Sequence, residues 1–182
     1  LITIRFPRTV RKSLEGNTII GNVALYGATG GEIFVAGKAG ERFTVRNSGA
    51  AAVVEGVGNH CCEYMTRGFV IVLGETGKNF GAGMTGGLAF IYHDRASIAE
   101  NLNKEYVRVD QLKLCDEDLI YKYLVNHEFH TGSTIAKSIL ENWDCEKNNF
   151  VKIVPKAIET VNYNKIFEEQ FKERMQSVFT PA

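Results

Sequence analysis

Several residue sets in this chain have types and spacings that could do chemistry. His127 and His130 stand three apart on a predicted helix and could in principle share a metal. A Glu-x-x-His pattern with companion carboxylates is missing, so both are expected to be surface or interface histidines. His60-Cys61-Cys62 sets an imidazole beside two thiols, the makings of a thiol nucleophile. Neighbours in a strand point to opposite faces, so the ring cannot readily reach the adjacent sulfur. The run Gly81-Ala82-Gly83-Met84-Thr85-Gly86-Gly87 has the look of a phosphate-binding loop. Such a loop needs Gly-Lys-Ser/Thr or a dinucleotide fingerprint opening a helix, and this one leads into the strand-like Leu88-Ala89-Phe90-Ile91-Tyr92. A tight corner is the better reading. Glu55, Glu63 and Glu75 fall in different repeats, so spacing supports no close carboxylate pair. The expectation is therefore no catalytic, cofactor-binding or metal-binding residue, and an isolated chain that is catalytically silent.

The four cysteines sit at 61, 62, 115 and 145, without the spacing of a zinc or iron–sulfur site. Cys62 falls in an inward column beside Phe43 and Phe80, where it would act as a small core hydrophobe. Nothing suggests a disulfide scaffold, which favours a reducing, cytoplasmic compartment.

The elements that would carry these residues are set by glycine. Of 18 glycines, 17 lie between Gly16 and Gly87. The spacing G-x5-G-x2-G occurs at Gly21/Gly27/Gly30, Gly31/Gly37/Gly40 and Gly68/Gly74/Gly77. Overlaying the copies gives offsets of 19, 18 and 19 residues. Small residues fill the column Gly31/Ala50/Gly68/Gly87, and Gly37/Gly56/Gly74/His93 follow six residues later. Between them run Ile33/Ala52/Val70/Ala89, Phe34/Val53/Ile71/Phe90 and Val35/Val54/Val72/Ile91. A second stripe aligns Ala24/Phe43/Cys62/Phe80 and Tyr26/Val45/Tyr64/Ala82, with Leu25/Thr44/Glu63/Gly81 between. Alternation of this kind predicts at least two short strands per copy, joined at glycine corners.

A unit this short cannot bury its own apolar face and must stack on its neighbours. Helical repeats are longer, the leucine-rich frame is missing, and a left-handed hexapeptide helix needs rungs in multiples of six. A two-sheet sandwich explains strands and turns but not the columns. What fits is a right-handed parallel β-helix over residues 1–93, with Phe34, Val53, Ile71 and Phe90 stacked in one ladder. Its structural glycine corners are Gly31, Gly37, Gly56, Gly68, Gly74 and Gly87. On this alignment Gly56→Val should cost several kcal/mol, on an order-of-magnitude basis, while His127→Ala should change little.

After Tyr92 the pattern becomes helical, giving a mainly helical extension over 94–182. Asp116-Glu117-Asp118 opens one helix, Gly132 ends it and Ser133 caps the next. Phe150 to Val154 reads as an extended run stopped by Pro155. Residues 165–178 carry a third helical pattern, with Ile166, Phe167, Phe171, Met175 and Val178. These helices are expected to cap the last exposed rung. Lys plus Arg and Asp plus Glu are equal at 21 each, and no apolar run is long enough for a membrane span. Neither nucleic acid nor membrane is an expected partner. The strand-like Leu1-Ile2-Thr3-Ile4 suggests that the chain starts within a rung, with earlier rungs missing.

The words carried by these rungs resemble a known family. Gly16-Asn17-Thr18-Ile19-Ile20-Gly21-Asn22, Leu25-Tyr26-Gly27-Ala28-Thr29-Gly30-Gly31, Gly40-Glu41-Arg42-Phe43 and Val45-Arg46-Asn47-Ser48-Gly49-Ala50 occur in order. Val53-Val54-Glu55-Gly56, His60-Cys61-Cys62-Glu63-Tyr64-Met65-Thr66, Gly81-to-Gly87 and His130-Thr131-Gly132-Ser133 follow. Together they resemble the C-terminal glycine-repeat (GXGXG) domain of the glutamate synthase large subunit, over roughly residues 1–155. The tail from Lys156 onward carries none of it.

The resemblance implies a parent enzyme making two glutamates from glutamine, 2-oxoglutarate and reductant. In that family an amidotransferase domain releases ammonia, and a tunnel delivers it to an FMN and 3Fe–4S centre. By this analogy the FMN and cluster lie elsewhere in the parent, and this piece holds the amidotransferase and FMN domains of the same polypeptide in register. A small NADPH-oxidising subunit or domain is a further implied partner. The rival reading is a stand-alone β-helix protein or binding module, similar to the β-helix component of formylmethanofuran dehydrogenase. A polysaccharide-active β-helix would want acids and aromatic platforms along one groove, which the columns do not show.

Overall fold

The computed structural model describes residues 1–7, 17–92 and 95–157, the side chains of 95–97 excepted. His93 and the helical pattern over 165–178 lie outside the described residues. The strands are β1 (Ile2–Arg5), β2 (Thr18–Ile20), β3 (Glu32–Ala39), β4 (Ser48–Val57), β5 (Arg67–Val72), β6 (Leu88–Tyr92), β7 (Val107–Asp110) and β8 (Phe150–Pro155). The helices are α1 (Arg95–Asn101), α2 (Leu114–Thr131), α3 (Thr134–Glu141) and α4 (Trp143–Glu146). The chain winds into a β-solenoid of about four turns. One sheet runs β1-β3-β4-β5-β6-β8-β7, parallel as far as β6, with β2 also on β3. Phe34 pairs with Val53, Val53 with Ile71 and Ile71 with Phe90, the expected ladder.

Over β3 to β6 both faces of this sheet are dry. Ile33, Val35, Ala52, Val54, Val70, Val72, Ala89 and Ile91 face the solenoid interior, with Phe43, Cys61, Met65, Phe80 and Met84. Phe34, Val53, Ile71 and Phe90 face outward against Leu119, Ile120, Tyr123 and Leu124 of α2 and Ala136 and Ile139 of α3. Three consecutive apolar columns thus reflect a sheet packed on two sides, as in buried parallel sheets. The placement of the helices differs from expectation. α2 and α3 lie along the flank of the stack, and its last rung is closed by two strands and by α1. β8 pairs antiparallel with β6, and β7 with β8. At the turn side, Asn103 N donates to Phe80 O at 2.9 Å, and Phe80 N to Asn101 O at 3.0 Å. The sheet therefore crosses the division drawn at 93/94.

The wall opposite the sheet is not a second set of strands. Residues 22–27, 41–46 and 59–64 are turns, and φ is positive at every second position. The positions are Val23, Leu25, Gly27; Arg42, Thr44, Arg46; His60, Cys62, Tyr64; and Asn79, Gly81, Gly83. Each ribbon is bonded to its neighbours in turn. Arg42 N donates to Asn59 O (2.8 Å), Thr44 N to Ala24 O (2.9 Å) and Arg46 N to Glu63 O (2.8 Å). Side chains repeat the pattern at the corner: Asn22 Oδ1 accepts from Glu41 N, and Asn59 Oδ1 from Lys78 N, both at 2.8 Å.

These bonds correct the expected columns in one rung. Cys61, one residue earlier than Cys62, shares the layer of Phe43 and Phe80, while Cys62 takes the position of Thr44 and Gly81. The residue lost in the 18-residue repeat is removed at a bulge between Val35 and Lys38, so Lys38, not Gly37, pairs with Gly56. The six glycine corners are consequently unlike one another. A Cβ on Gly74 would lie 2.5 Å from Glu55 O, inside the backbone of the rung below. At Gly56 the nearest atom is Lys38 Cγ at 3.4 Å, an ordinary contact.

The penalty first placed on Gly56 therefore moves to Gly74. Gly74→Val should destabilise the chain by several kcal/mol, while Gly56→Ala should cost about 1 kcal/mol or less. Urea midpoints measure both; equal shifts would contradict this geometry.

Candidate functional site

Four polar contacts fasten the helices to the solenoid flank, and the first of them brings together the candidates Glu55 and His127. The first forms at the bulged rung. Glu55, at the end of β4, presents its carboxylate to the α2–α3 junction. Ser133 donates its hydroxyl to Glu55 Oε1, and His127 Nε2 lies 3.6 Å from the same oxygen. The junction is shaped by Gly132, left-handed at φ 73°, and by Ser133 Oγ, which accepts from Ala136 N at 3.1 Å as the cap of α3. Thr131 Oγ1 donates to His127 O at 2.5 Å.

His127 is completely buried, against the expectation of a surface or interface position. Neither ring nitrogen has a hydrogen-bond partner among the described residues. Phe34 lies beside it with ring centroids 6.0 Å apart, and His130 stacks on the same Phe34 at 5.4 Å. The two histidines do not converge on a metal position. The Ser–Glu–His order also differs from a nucleophile–base–acid relay, because the carboxylate sits between hydroxyl and imidazole. This cluster positions a helix junction.

The second contact is a buried ion pair, Lys152 Nζ of β8 to Asp116 Oδ2 of α2 at 2.7 Å. Asp116 also accepts from Lys113 N at 2.9 Å, closing the start of α2. In the third, Tyr123 of α2 donates to Glu32 Oε1 of β3 at 2.5 Å. In the fourth, Tyr92 of β6 donates to Glu146 Oε2 of α4 at 2.6 Å. Burial, then the bond to the Glu146 carboxylate, push the Tyr92 phenol up to about 12.

The thiols behave as core atoms. Cys61 and Cys62 are buried with sulfurs 3.7 Å apart, and Thr44 Oγ1 lies 3.4 Å from Cys62 Sγ. Burial, reinforced by Cys62, pushes the Cys61 thiol well above its ordinary range, away from the thiolate a nucleophile needs. His60 turns instead to Glu63, with Nδ1 3.6 Å from Oε1. Cys115 and Cys145 are exposed, so the four thiols do not gather into a ligand set for the cluster the resemblance implies. Among the described residues no group of three His, Cys, Asp or Glu could hold a metal, and no helix is long and apolar enough to cross a membrane. The loop over 81–87 leads into β6, as a corner does.

The Glu55–His127–Ser133 cluster escaped sequence reasoning because its members lie on different elements. The only local signal was the word His130-Thr131-Gly132-Ser133.

Comparison with known proteins gives these contacts a context. The family model described as the GXGXG motif matches residues 1–156. The chain is 44% identical over 171 residues to a glutamate synthase [NADH] of Schizosaccharomyces pombe, covering 93% of this chain and 8% of that protein. It is 48% identical over 161 residues to the chloroplastic ferredoxin-dependent glutamate synthase of Spinacia oleracea, covering 87% and 10%. It is 44% identical over 159 residues to the glutamate synthase [NADPH] large chain of Bacillus subtilis, covering 85% and 10%. The chain thus spans about a tenth of the length of each of these relatives.

Two outcomes follow from the contacts. Because His127 fills a buried site, His127→Ala should cost about 2–4 kcal/mol, reversing the first expectation, and Lys152→Ala, which strands a buried carboxylate, about 3–5 kcal/mol. Denaturant melts check both. The phenol raised in the folded state favours folding fully below its unfolded pKa near 10, and that contribution is lost as pH rises toward 12. Tyr92→Phe should flatten the alkaline limb of the stability profile over that window.

Proposed function

This chain belongs to the GXGXG motif family, and from that premise we propose that it is the β-solenoid domain of a glutamate synthase polypeptide. Its role there is structural: it holds the amidotransferase and FMN-binding synthase domains of the same polypeptide in register. The parent enzyme forms two glutamates from glutamine, 2-oxoglutarate and reductant, with FMN and the 3Fe–4S cluster held elsewhere. A small NADPH-oxidising subunit or domain serves where the donor is a pyridine nucleotide.

One observation carries this reading. Relatives whose names specify NADH, ferredoxin and NADPH match the same stretch at 44–48% identity. A segment common to enzymes with different donors serves something they share, not the donor. A scaffold role is supported by the architecture, in which one sheet is buttressed on both faces and tied to its helices by buried polar contacts. Four unpaired thiols, two of them side by side in the core, support a reducing compartment such as the cytoplasm.

The test is a chimera. In place of the matched segment of the Bacillus subtilis large chain, this chain should restore glutamate formation in a strain that lacks the enzyme, while a flexible linker of equal length should not. Restoration by the linker would overturn the scaffold role. A transcript encoding this chain alone would favour the stand-alone β-helix protein.

A further inference from the structure

Helix α2 turns one face to the sheet and leaves another open. Leu114, Asp118, Tyr121, Val125 and Phe129 follow one line along it, at helical spacing. Leu114 and Phe129 are 77% and 82% exposed, and Tyr121 and Val125 are 44% and 40% exposed. Midway along the line, Asp118 and Tyr121 help wall a shallow cavity of about 500 Å³, closed on the other side by α3 and α4. Trp143 lines it too, its ring edge-on to Tyr121 with centroids 5.3 Å apart. The remaining charged walls are Glu141 and Asp144, so among the described residues the lining carries three carboxylates and no cationic side chain. The nearby lysines are engaged elsewhere or loosely held. Lys147 lies 2.9 Å from Glu117, and Lys137 meets Glu141 only at 3.9 Å in an exposed pair.

We propose that this face docks a protein segment that places an arginine or lysine in the cavity, with apolar side chains on either side along α2. The charge decides the occupant. Carboxylates and aromatic rings around one opening favour a cation through charge-assisted hydrogen bonds and cation–π attraction, and disfavour an acidic segment. The cavity is open to solvent and encloses little of what enters it, so the flanking apolar residues must supply the rest of the contact. The line from Leu114 to Phe129 is about 22 Å long, room for several turns of helix. A second copy docking through this same face would set carboxylates against carboxylates at the centre of the line.

Trp143 is the only tryptophan in the chain, so its emission reports on the cavity directly. The probe is a short acetylated, alanine-based helical peptide with leucine, arginine and leucine one turn apart, titrated into the full chain. Saturable change in Trp143 emission is expected. The affinity should fall about tenfold or more with Asp118→Asn plus Asp144→Asn, and be lost when the peptide's arginine is replaced by glutamate. Phe129→Ala, on an exposed side chain, should weaken binding without touching the charges. No saturable change, or equal binding of the arginine and glutamate peptides by the unaltered chain, overturns the proposal whether or not the double variant folds. So does a concentration-dependent dimer that Phe129→Ala dissociates.

Discussion

Nine non-glycine residues among the described residues have positive φ, a conformation that costs each of them on the order of 1 kcal/mol or more. What holds them there is the rung on either side. The turn ribbons donate alternately toward one neighbour and the other, so no ribbon is satisfied alone. Stacking is therefore a condition of local structure as well as of core formation. It also explains the far end of the stack, where residues 98–107 close over the last ribbon: Ile98, Leu102 and Val107 join the interior cluster, and Phe80 finds backbone partners in Asn101 and Asn103.

The sheet wall follows from the other half of the repeat. A strand reading Ile33-Phe34-Val35 or Val70-Ile71-Val72 has no wet face, so something must cover its outside. Apolar packing alone would let α2 and α3 slide over that surface. The buried polar contacts prevent it, because each displaced partner would leave a desolvated charge or hydroxyl. Asp116–Lys152 fixes one end of α2 against β8, Tyr123–Glu32 its middle against β3, and Glu55–Ser133 the following junction against β4.

The sequence pattern was informative where one residue type repeats in one environment. The ladder Phe34, Val53, Ile71 and Phe90 was readable from its columns because all four sit under the same helices. The turn wall was misread for a physical reason: alternating backbone conformation gives side chains a period of two, as a strand does. Val23, Leu25, Arg42 and Thr44 carry no glycine signature of left-handed backbone. A one-residue deletion then hid in the third rung, since Cys61 and Cys62 fill either column equally well. His127 was misplaced because its neighbours, Glu55 and Phe34, lie far away in sequence, and a helical histidine by itself says nothing of what packs over it.

The two walls differ in their surroundings. One is clamped between a packed interior and a layer of helices; the other has packed interior on one side and exposed Val23, Tyr26, Arg42, Arg46 and Tyr64 on the other. The barrel is thus mechanically anisotropic. Bending that shears the sheet against α2 must break the buried Asp116–Lys152 ion pair and the buried hydrogen bonds beside it, whereas bending that fans the turn ribbons apart strains backbone hydrogen bonds with no second layer packed over them. The solenoid accordingly behaves as a leaf spring with its spine along the sheet. Anything attached to the helical side rides on the stiff edge, and thermal opening begins on the opposite one.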